Sequence, residues 1–98
     1  MFIRIVKMKF KADQCAAFES NFDLKKDKIR TFPGCQRLEL LHDKNDPTVY
    51  FTYSYWNEDS DLENYRNSDL FKGVWAYTKT LFDAKAEAWS VEQRDVLV

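Results

Sequence analysis

The chain has 98 residues, of which 45% are hydrophobic and 16% aromatic, with only two glycines and two prolines. This length predicts one domain spanning residues 1–98, and the composition is typical of a compact, ordered domain rather than a disordered one. Fifteen basic and sixteen acidic residues give a net charge of −1. That balance argues against nucleic-acid binding, because a phosphate-binding face normally shows a basic excess.

The N-terminal sequence MFIRIVKMKF interleaves charged and apolar residues, unlike the uninterrupted apolar core of a signal peptide. No window approaches the roughly 20 apolar residues of a membrane span. Cys15 and Cys35 lack CxxC spacing, and we interpret them as reduced thiols that fill apolar space, with a disulfide as the alternative. We therefore expect a cytoplasmic protein with no membrane partner.

The first third of the chain changes from a period of two to a helical period. In residues 2–10, apolar side chains occur on both sides of the alternation, which predicts a strand with both faces at least partly covered. One side carries Arg4, Val6, Met8 and Phe10, and the other carries Ile3, Ile5, Lys7 and Lys9. Residues 12–31 place Cys15, Phe18, Phe22 and Ile29 on one stripe. This is the pattern of an amphipathic helix, which Phe32-Pro33-Gly34 ends.

The next segments predict a hairpin followed by further helix. Residues 35–42 and the β-branched and aromatic residues 48–56 read as strands, joined by a DKNDP turn at 43–47. A helix is predicted over 60–68, with a break at Ser68-Asp69 where Asp69 caps a second helix that carries Trp75. Residues 84–92 complete the pattern as a last strand.

The resulting order is βαββαβ, which predicts an α+β, ferredoxin-like fold: a four-stranded antiparallel sheet with two helices on one face. Two helices cover only one face of the sheet, although the strands are apolar on both. Met8, Phe10 and Trp56, or the alternate residues on the neighbouring strands, would then be exposed. Covering each large side chain is worth about 1.5–3 kcal/mol, so we predict a homodimer packed sheet to sheet.

Three sequence motifs carry a family resemblance: FPGC at 32–35, DPTVYFTYSYW at 46–56 and SDLF at 68–71. In this order and spacing they resemble the antibiotic biosynthesis monooxygenase (ABM) domain, over the chain from the first strand to Trp89. The resemblance implies a dimeric α+β barrel with a ligand pocket between helices and sheet in each subunit. Some members of that superfamily oxygenate quinols or polycyclic phenols without metal or flavin, some degrade haem, and others have no known reaction.

The resemblance argues against haem as the ligand. The haem-degrading members keep an asparagine on strand one, a tryptophan before the Ser-x-x-Phe motif and a histidine on the following helix. Laid onto this chain, these positions fall at Ile5, Tyr65 and Trp75, and all three differ. Without an axial histidine on that helix, we do not expect haem binding in the usual manner.

Three residues are candidates for catalysis. Tyr65, where ordinary monooxygenase members often carry histidine, can donate a hydrogen bond that stabilises a phenolate or enolate, or it can simply fill the core. Trp75 offers a flat face and an indole donor, or core packing. His42, the only histidine, can act as a general base near neutral pH, or lie in solvent at a strand end.

A second group of residues is expected to bind the substrate. Tyr53 and Tyr55 share a strand face that we expect to point at the helices, with a position at the rim of the sheet as the alternative; Phe18 and Phe22 would supply apolar walls. Arg4, Arg37 and Arg66 are interpreted as surface or dimer-interface residues, one of which can pair with an anionic substrate group. No metal site is expected, because a lone histidine without a second nitrogen or thiolate ligand is poor zinc or iron chemistry.

The resemblance therefore implies a cofactor-independent monooxygenase that acts on a quinol or phenol with O₂, as a homodimer without metal or cofactor. The alternative is a non-catalytic dimer of the same fold that binds a small ligand or has a structural role. An enclosed cavity with several convergent donors would favour the enzyme, and a filled core would favour the alternative.

Overall fold

Four β-strands and three α-helices form the protein, in a computed structural model that describes all of residues 1–98. The strands are β1 (Phe2–Phe10), β2 (Cys35–His42), β3 (Val49–Trp56) and β4 (Phe82–Val91). The helices are α1 (Cys15–Arg30), α2 (Asp59–Arg66) and α3 (Asp69–Lys79). The predicted βαββαβ order is confirmed, with the second helical segment divided into α2 and α3.

The sheet has the order β2-β3-β1-β4, and every neighbouring pair is antiparallel. β1 lies in the centre, where Arg4 is opposite Ser54 of β3 on one side and Ser90 of β4 on the other. All three helices pack on one face of this sheet, so the fold is the expected ferredoxin-like α+β arrangement. No helix is long and apolar enough to cross a membrane.

The turn between α1 and β2 depends on a glycine. Gly34 has a φ of +91°, a region that side-chain-bearing residues rarely adopt. A Cβ atom at this position would lie 2.2 Å from Cγ of Asp61 in α2. The backbone N–H of Asn57 donates to the Gly34 carbonyl at 3.0 Å. This turn therefore packs against both the end of β3 and the first turn of α2.

The break between α2 and α3 is capped by Ser68 rather than by the predicted Asp69. The Ser68 hydroxyl oxygen accepts a hydrogen bond from the Phe71 N–H at 3.1 Å, which is the geometry of an N-cap. The same hydroxyl donates to the Tyr65 carbonyl at 2.6 Å. Asp69 is instead the first residue of α3, where the positive end of the helix dipole stabilises its carboxylate.

One face of the sheet is covered by the helices and the other is open. Met8, Phe10 and Trp56 are 3%, 1% and 0% exposed and pack beneath the helices, so the alternate side chains occupy the open face. These are chiefly Ile3, Ile5, Phe51, Tyr53, Tyr55, Trp89 and Val91. Trp89 and Val91 are 44% and 37% exposed, so part of the open face is apolar surface in contact with solvent.

The core between helices and sheet consists of two clusters. One surrounds Trp56 and includes Tyr65 and Leu62; the other surrounds Phe10 and includes Phe18 and Tyr50. Both cysteines are free thiols, Cys35 in the first cluster and Cys15 partly buried beside the second. Burial raises the pKa of both thiols, which favours their neutral form.

Candidate functional site

A cavity with a volume of about 490 Å³ lies between the helices and the covered face of the sheet. Of its 19 lining residues, 13 are hydrophobic, which suits a mostly apolar ligand held by a few polar groups. The sheet contributes even-numbered residues such as Val6, Thr52 and Ala86. Small side chains at Thr52, Ala86 and Ala88 explain why this part of the layer is not filled.

Aromatic rings form one continuous wall of the cavity. Tyr65 contacts Phe71 edge to face with ring centroids 5.1 Å apart, and Phe71 stacks on Trp75 at 5.9 Å. Phe18 and Phe22, one turn apart on α1, also line the cavity. The structure thus brings together four of the predicted site residues: Phe18, Phe22, Tyr65 and Trp75. Tyr65 and Phe18 belong to the two core clusters, and Trp75 packs against the second, so these three rings are part of the core and also border the cavity.

Tyr65 is the polar group with the most distinctive environment in the aromatic wall. Its side chain is only 9% exposed, and burial raises the pKa of the phenol well above its ordinary value, with a smaller effect from Cys35. No protein group forms a hydrogen bond with its hydroxyl, yet no fully buried side-chain oxygen or nitrogen lacks a partner. The hydroxyl oxygen is therefore not completely buried, and the phenol is neutral.

Two of the arginines that we interpreted as surface or dimer-interface residues, one of which can pair with an anionic substrate group, line the cavity. Arg4 is on the covered face of β1, and Arg66 is the last residue of α2. The sequence contained a signal for Arg4, because it shares its strand face with Val6, Met8 and Phe10. A single cation on an otherwise apolar strand face indicates either an ion pair or a ligand.

Three predicted site residues lie outside the cavity, so those assignments need correction. Tyr53 and Tyr55 do not point at the helices; they lie on the open face, where the Tyr55 hydroxyl donates to Glu39 at 3.0 Å. His42 stacks on Tyr50 with ring centroids 4.2 Å apart, and its Nε2 is 2.7 Å from the Pro47 carbonyl oxygen. The prediction chose the wrong face of β3. Successive side chains of a strand alternate between faces, and Thr52 and Ser54, which alternate with the two tyrosines, face the cavity.

The position compared with the haem-degrader asparagine also falls on the other face. Ile5 is paired with Tyr53 and Trp89 on the open side of the sheet, whereas Arg4 and Val6 face the cavity. No histidine lines the cavity, so no imidazole is available there for haem iron. No three His, Cys, Asp or Glu side chains converge anywhere in the chain in a way that could hold a metal ion.

The chemistry available in the cavity follows from its lining. It can hold a flat apolar molecule, donate hydrogen bonds from Tyr65, and offset negative charge with Arg4 and Arg66. No aspartate, glutamate or histidine lines it, so it offers no conventional general base.

Comparison with known protein families agrees with this architecture. The family model for antibiotic biosynthesis monooxygenases matches residues 1–76 of the chain. The chain therefore belongs to the ABM family. A search of curated protein sequences found no match.

Several solved structures have the same fold at low sequence identity. A candidate antibiotic biosynthesis monooxygenase from Nitrosomonas europaea is 17% identical with a TM-score of 0.89, covering 97% of this chain and all of that one. A conserved protein from Methanosarcina mazei Go1 is 18% identical with a TM-score of 0.89, covering 96% and 94% of the two chains. An asparagine-to-alanine variant of SnoaB, a cofactor-independent oxygenase from Streptomyces nogalater, is 18% identical with a TM-score of 0.87, covering 98% and 95%. At these identities, the similarities show a shared fold.

Proposed function

We propose that this protein is a monooxygenase that oxidises a phenol or quinol with O₂, without metal or organic cofactor. The observation that supports it most is the apolar cavity of about 490 Å³, whose aromatic wall includes the phenol of Tyr65. A filled core would have favoured a structural role instead. Family membership agrees with this proposal, and SnoaB, which shares the fold, is a cofactor-independent oxygenase.

The chemistry requires the substrate to supply the electrons. Ground-state O₂ is a triplet, so its direct reaction with a closed-shell molecule is spin-forbidden, whereas an ionised phenol can donate one electron at a time. With 1-naphthol as substrate, one oxygen atom becomes the new carbonyl of 1,4-naphthoquinone and the other leaves as water. The phenolic O–H and the ring C–H supply both hydrogens of that water. The ring loses four electrons and O₂ gains four, so no external reductant is needed.

The cavity residues contribute by stabilising the anion and excluding water. Tyr65 is the donor for the substrate oxygen, and loss of one such donor commonly lowers the rate by about 10²–10³. Trp75 and Phe71 hold the flat ring, while Phe18 and Phe22 keep one wall apolar. Because no carboxylate or imidazole lines the cavity, the substrate proton passes to solvent, and the substrate's own acidity controls the amount of reactive anion.

The proposal includes a homodimer in the cytoplasm. The open face of the sheet carries Tyr53, Tyr55 and Trp89, and a second copy packed on it would remove these apolar side chains from water. Tyr53 and Tyr55 then stabilise the dimer rather than bind substrate. The helices already cover the cavity side, so dimer formation through the open face leaves the cavity unobstructed.

Oxygen uptake with a panel of naphthols and quinols, measured with and without a metal chelator, tests the proposal directly. We expect uptake that survives the chelator and falls on Tyr65→Phe by about 10²-fold. Tyr77→Phe is the matched control, because Tyr77 is 43% exposed and lies outside the cavity, and it should leave the rate unchanged. No uptake with any panel member would favour the non-catalytic ligand-binding dimer, and loss of activity with chelator would show that a metal is required.

A further inference from the structure

One end of the cavity carries a cationic group that the proposed reaction does not by itself require. Arg4 projects from the covered face of β1 between Ser54 of β3 and Ser90 of β4. Its Nη1 donates a hydrogen bond to Ser90 Oγ at 3.1 Å. Arg66, from the end of α2, lines the same cavity. A guanidinium is thus held in place at the floor, with a second one on the helix side.

The protein leaves Arg4 without an anionic partner. None of its five salt bridges involves Arg4. Arg66 is 3.7 Å from Glu63, but these side chains are 47% and 63% exposed, and such pairs contribute little. Burial lowers the pKa of Arg4, the charge of Arg66 lowers it further, and Glu63 raises it. Arg4 therefore lies in an environment that is unfavourable for its charge, and which a bound anion would improve.

Resting on the monooxygenase function above, we propose that the substrate is an aromatic hydroxy-carboxylate whose carboxylate binds Arg4, with Arg66 closing on it from the helix side. A planar guanidinium matches a carboxylate through two parallel N–H···O bonds. The charges around Arg4 also favour a ligand with a single negative charge. Arg4 and Arg66 are positive and Glu63 is negative, so these three side chains have a net charge of +1. The apolar remainder of the cavity then holds the ring beside Tyr65.

Binding without oxygen tests this inference separately from turnover. Calorimetry under nitrogen should compare 1-naphthol with 1-hydroxy-2-naphthoate, and 2-naphthol with 6-hydroxy-2-naphthoate, which places the carboxylate elsewhere on the ring. In at least one pair we expect the carboxylate to bind about tenfold more tightly or better, the usual effect of one hydrogen-bonded charge. This preference should shrink as salt is raised, because part of the site is exposed.

Variants then assign the preference to the arginine. Arg4→Gln should abolish it, whereas Arg4→Lys should keep a part, since it preserves the charge but not the paired geometry. Arg94→Gln is the control, because Arg94 is 93% exposed and pairs with its neighbour Asp95. Circular dichroism confirms that each variant is folded. Should Arg4→Gln fail to fold, the comparison of ligands and salts in the unaltered protein decides.

The outcomes separate this inference from the proposed reaction. Equal affinities within both ligand pairs, binding of none of the ligands, or a preference that survives in folded Arg4→Gln would overturn the carboxylate subsite. Tight carboxylate binding without oxygen uptake would support the subsite and reject the monooxygenase. Oxygen uptake with equal affinities would support the monooxygenase and reject the subsite.

Discussion

Gly34→Ala should destabilise the protein more than any ordinary surface substitution, because two independent effects coincide at this turn. The residue adopts a φ of +91°, where an alanine Cβ is sterically disfavoured. The new Cβ would also lie 2.2 Å from Asp61 Cγ, far inside van der Waals contact. Asp61 would have to move, although its carboxylate accepts a hydrogen bond from the Glu58 N–H at 3.1 Å at the start of α2.

The magnitude follows from these two effects. The left-handed backbone costs about 1–2 kcal/mol for a residue with a Cβ. Losing the Asp61 hydrogen bond at the first turn of α2 adds about 0.5–1.5 kcal/mol. We therefore expect a loss of about 2–3 kcal/mol in the free energy of unfolding, which for a domain of this length lowers Tm by about 10–20 °C.

Urea unfolding followed by circular dichroism, at one fixed protein concentration, measures this change. Gly73→Ala is the internal control: nothing lies within 4 Å of its added Cβ in the middle of α3, so the change should stabilise by about 0.5–1 kcal/mol. Combining Gly34→Ala with Asp61→Ala should cost less than the sum of the two, because the clashing Cγ and Oδ2 are removed and only the Cβ of residue 61, 2.4 Å from the new Cβ, still has to move. A loss below about 0.5 kcal/mol for Gly34→Ala, or strict additivity with Asp61→Ala, would refute the steric argument.

Four further predictions concern assembly, ligand and pH. Light scattering at micromolar concentration should give about twice the 11.7 kDa chain mass, and a stable monomer would contradict the argument from the open face. Haemin added to the unaltered protein should give no sharp Soret shift, and the Trp75→His substitution should be needed to approach one. A stoichiometric haem complex of the unaltered protein would contradict this. His42→Gln should leave the pH profile of oxygen uptake unchanged, because His42 lies outside the cavity and the profile follows the substrate phenol; a changed profile in this variant would make His42 the base. Hydrogen bonds from Thr48, with Lys9, lower the pKa of Asp46 from 3.8 to about 2. Its stabilising effect should be complete above pH 3.8 and be lost as the pH falls towards 2, and Asp46→Asn should flatten this part of the stability curve.

The elements of this protein could be predicted because they depend on neighbours in the sequence. The alternation in residues 2–10, the apolar stripe of residues 12–31 and the turn residues at 43–47 report the local period directly. Their order then limits the fold to few alternatives, and the ferredoxin-like sheet was among them. The site residues on α1, α2 and α3 could be predicted in the same way, because an amphipathic helix has a single apolar face and that face packs inward.

The face of the sheet that meets the helices was decided only by tertiary structure. β1 and β3 are apolar on both sides, so local pattern cannot distinguish a face covered by helices from one that a second copy could cover. For this reason Tyr53 and Tyr55 were assigned to the wrong side, and the sequence could not decide whether Arg4 lies at the surface, at a dimer interface or beside an anionic substrate group. The packing of all three helices on the even-numbered face places Arg4, Thr52 and Ser54 in the cavity. Choosing that face depends on contacts between residues far apart in the chain, which no periodicity within a single strand encodes.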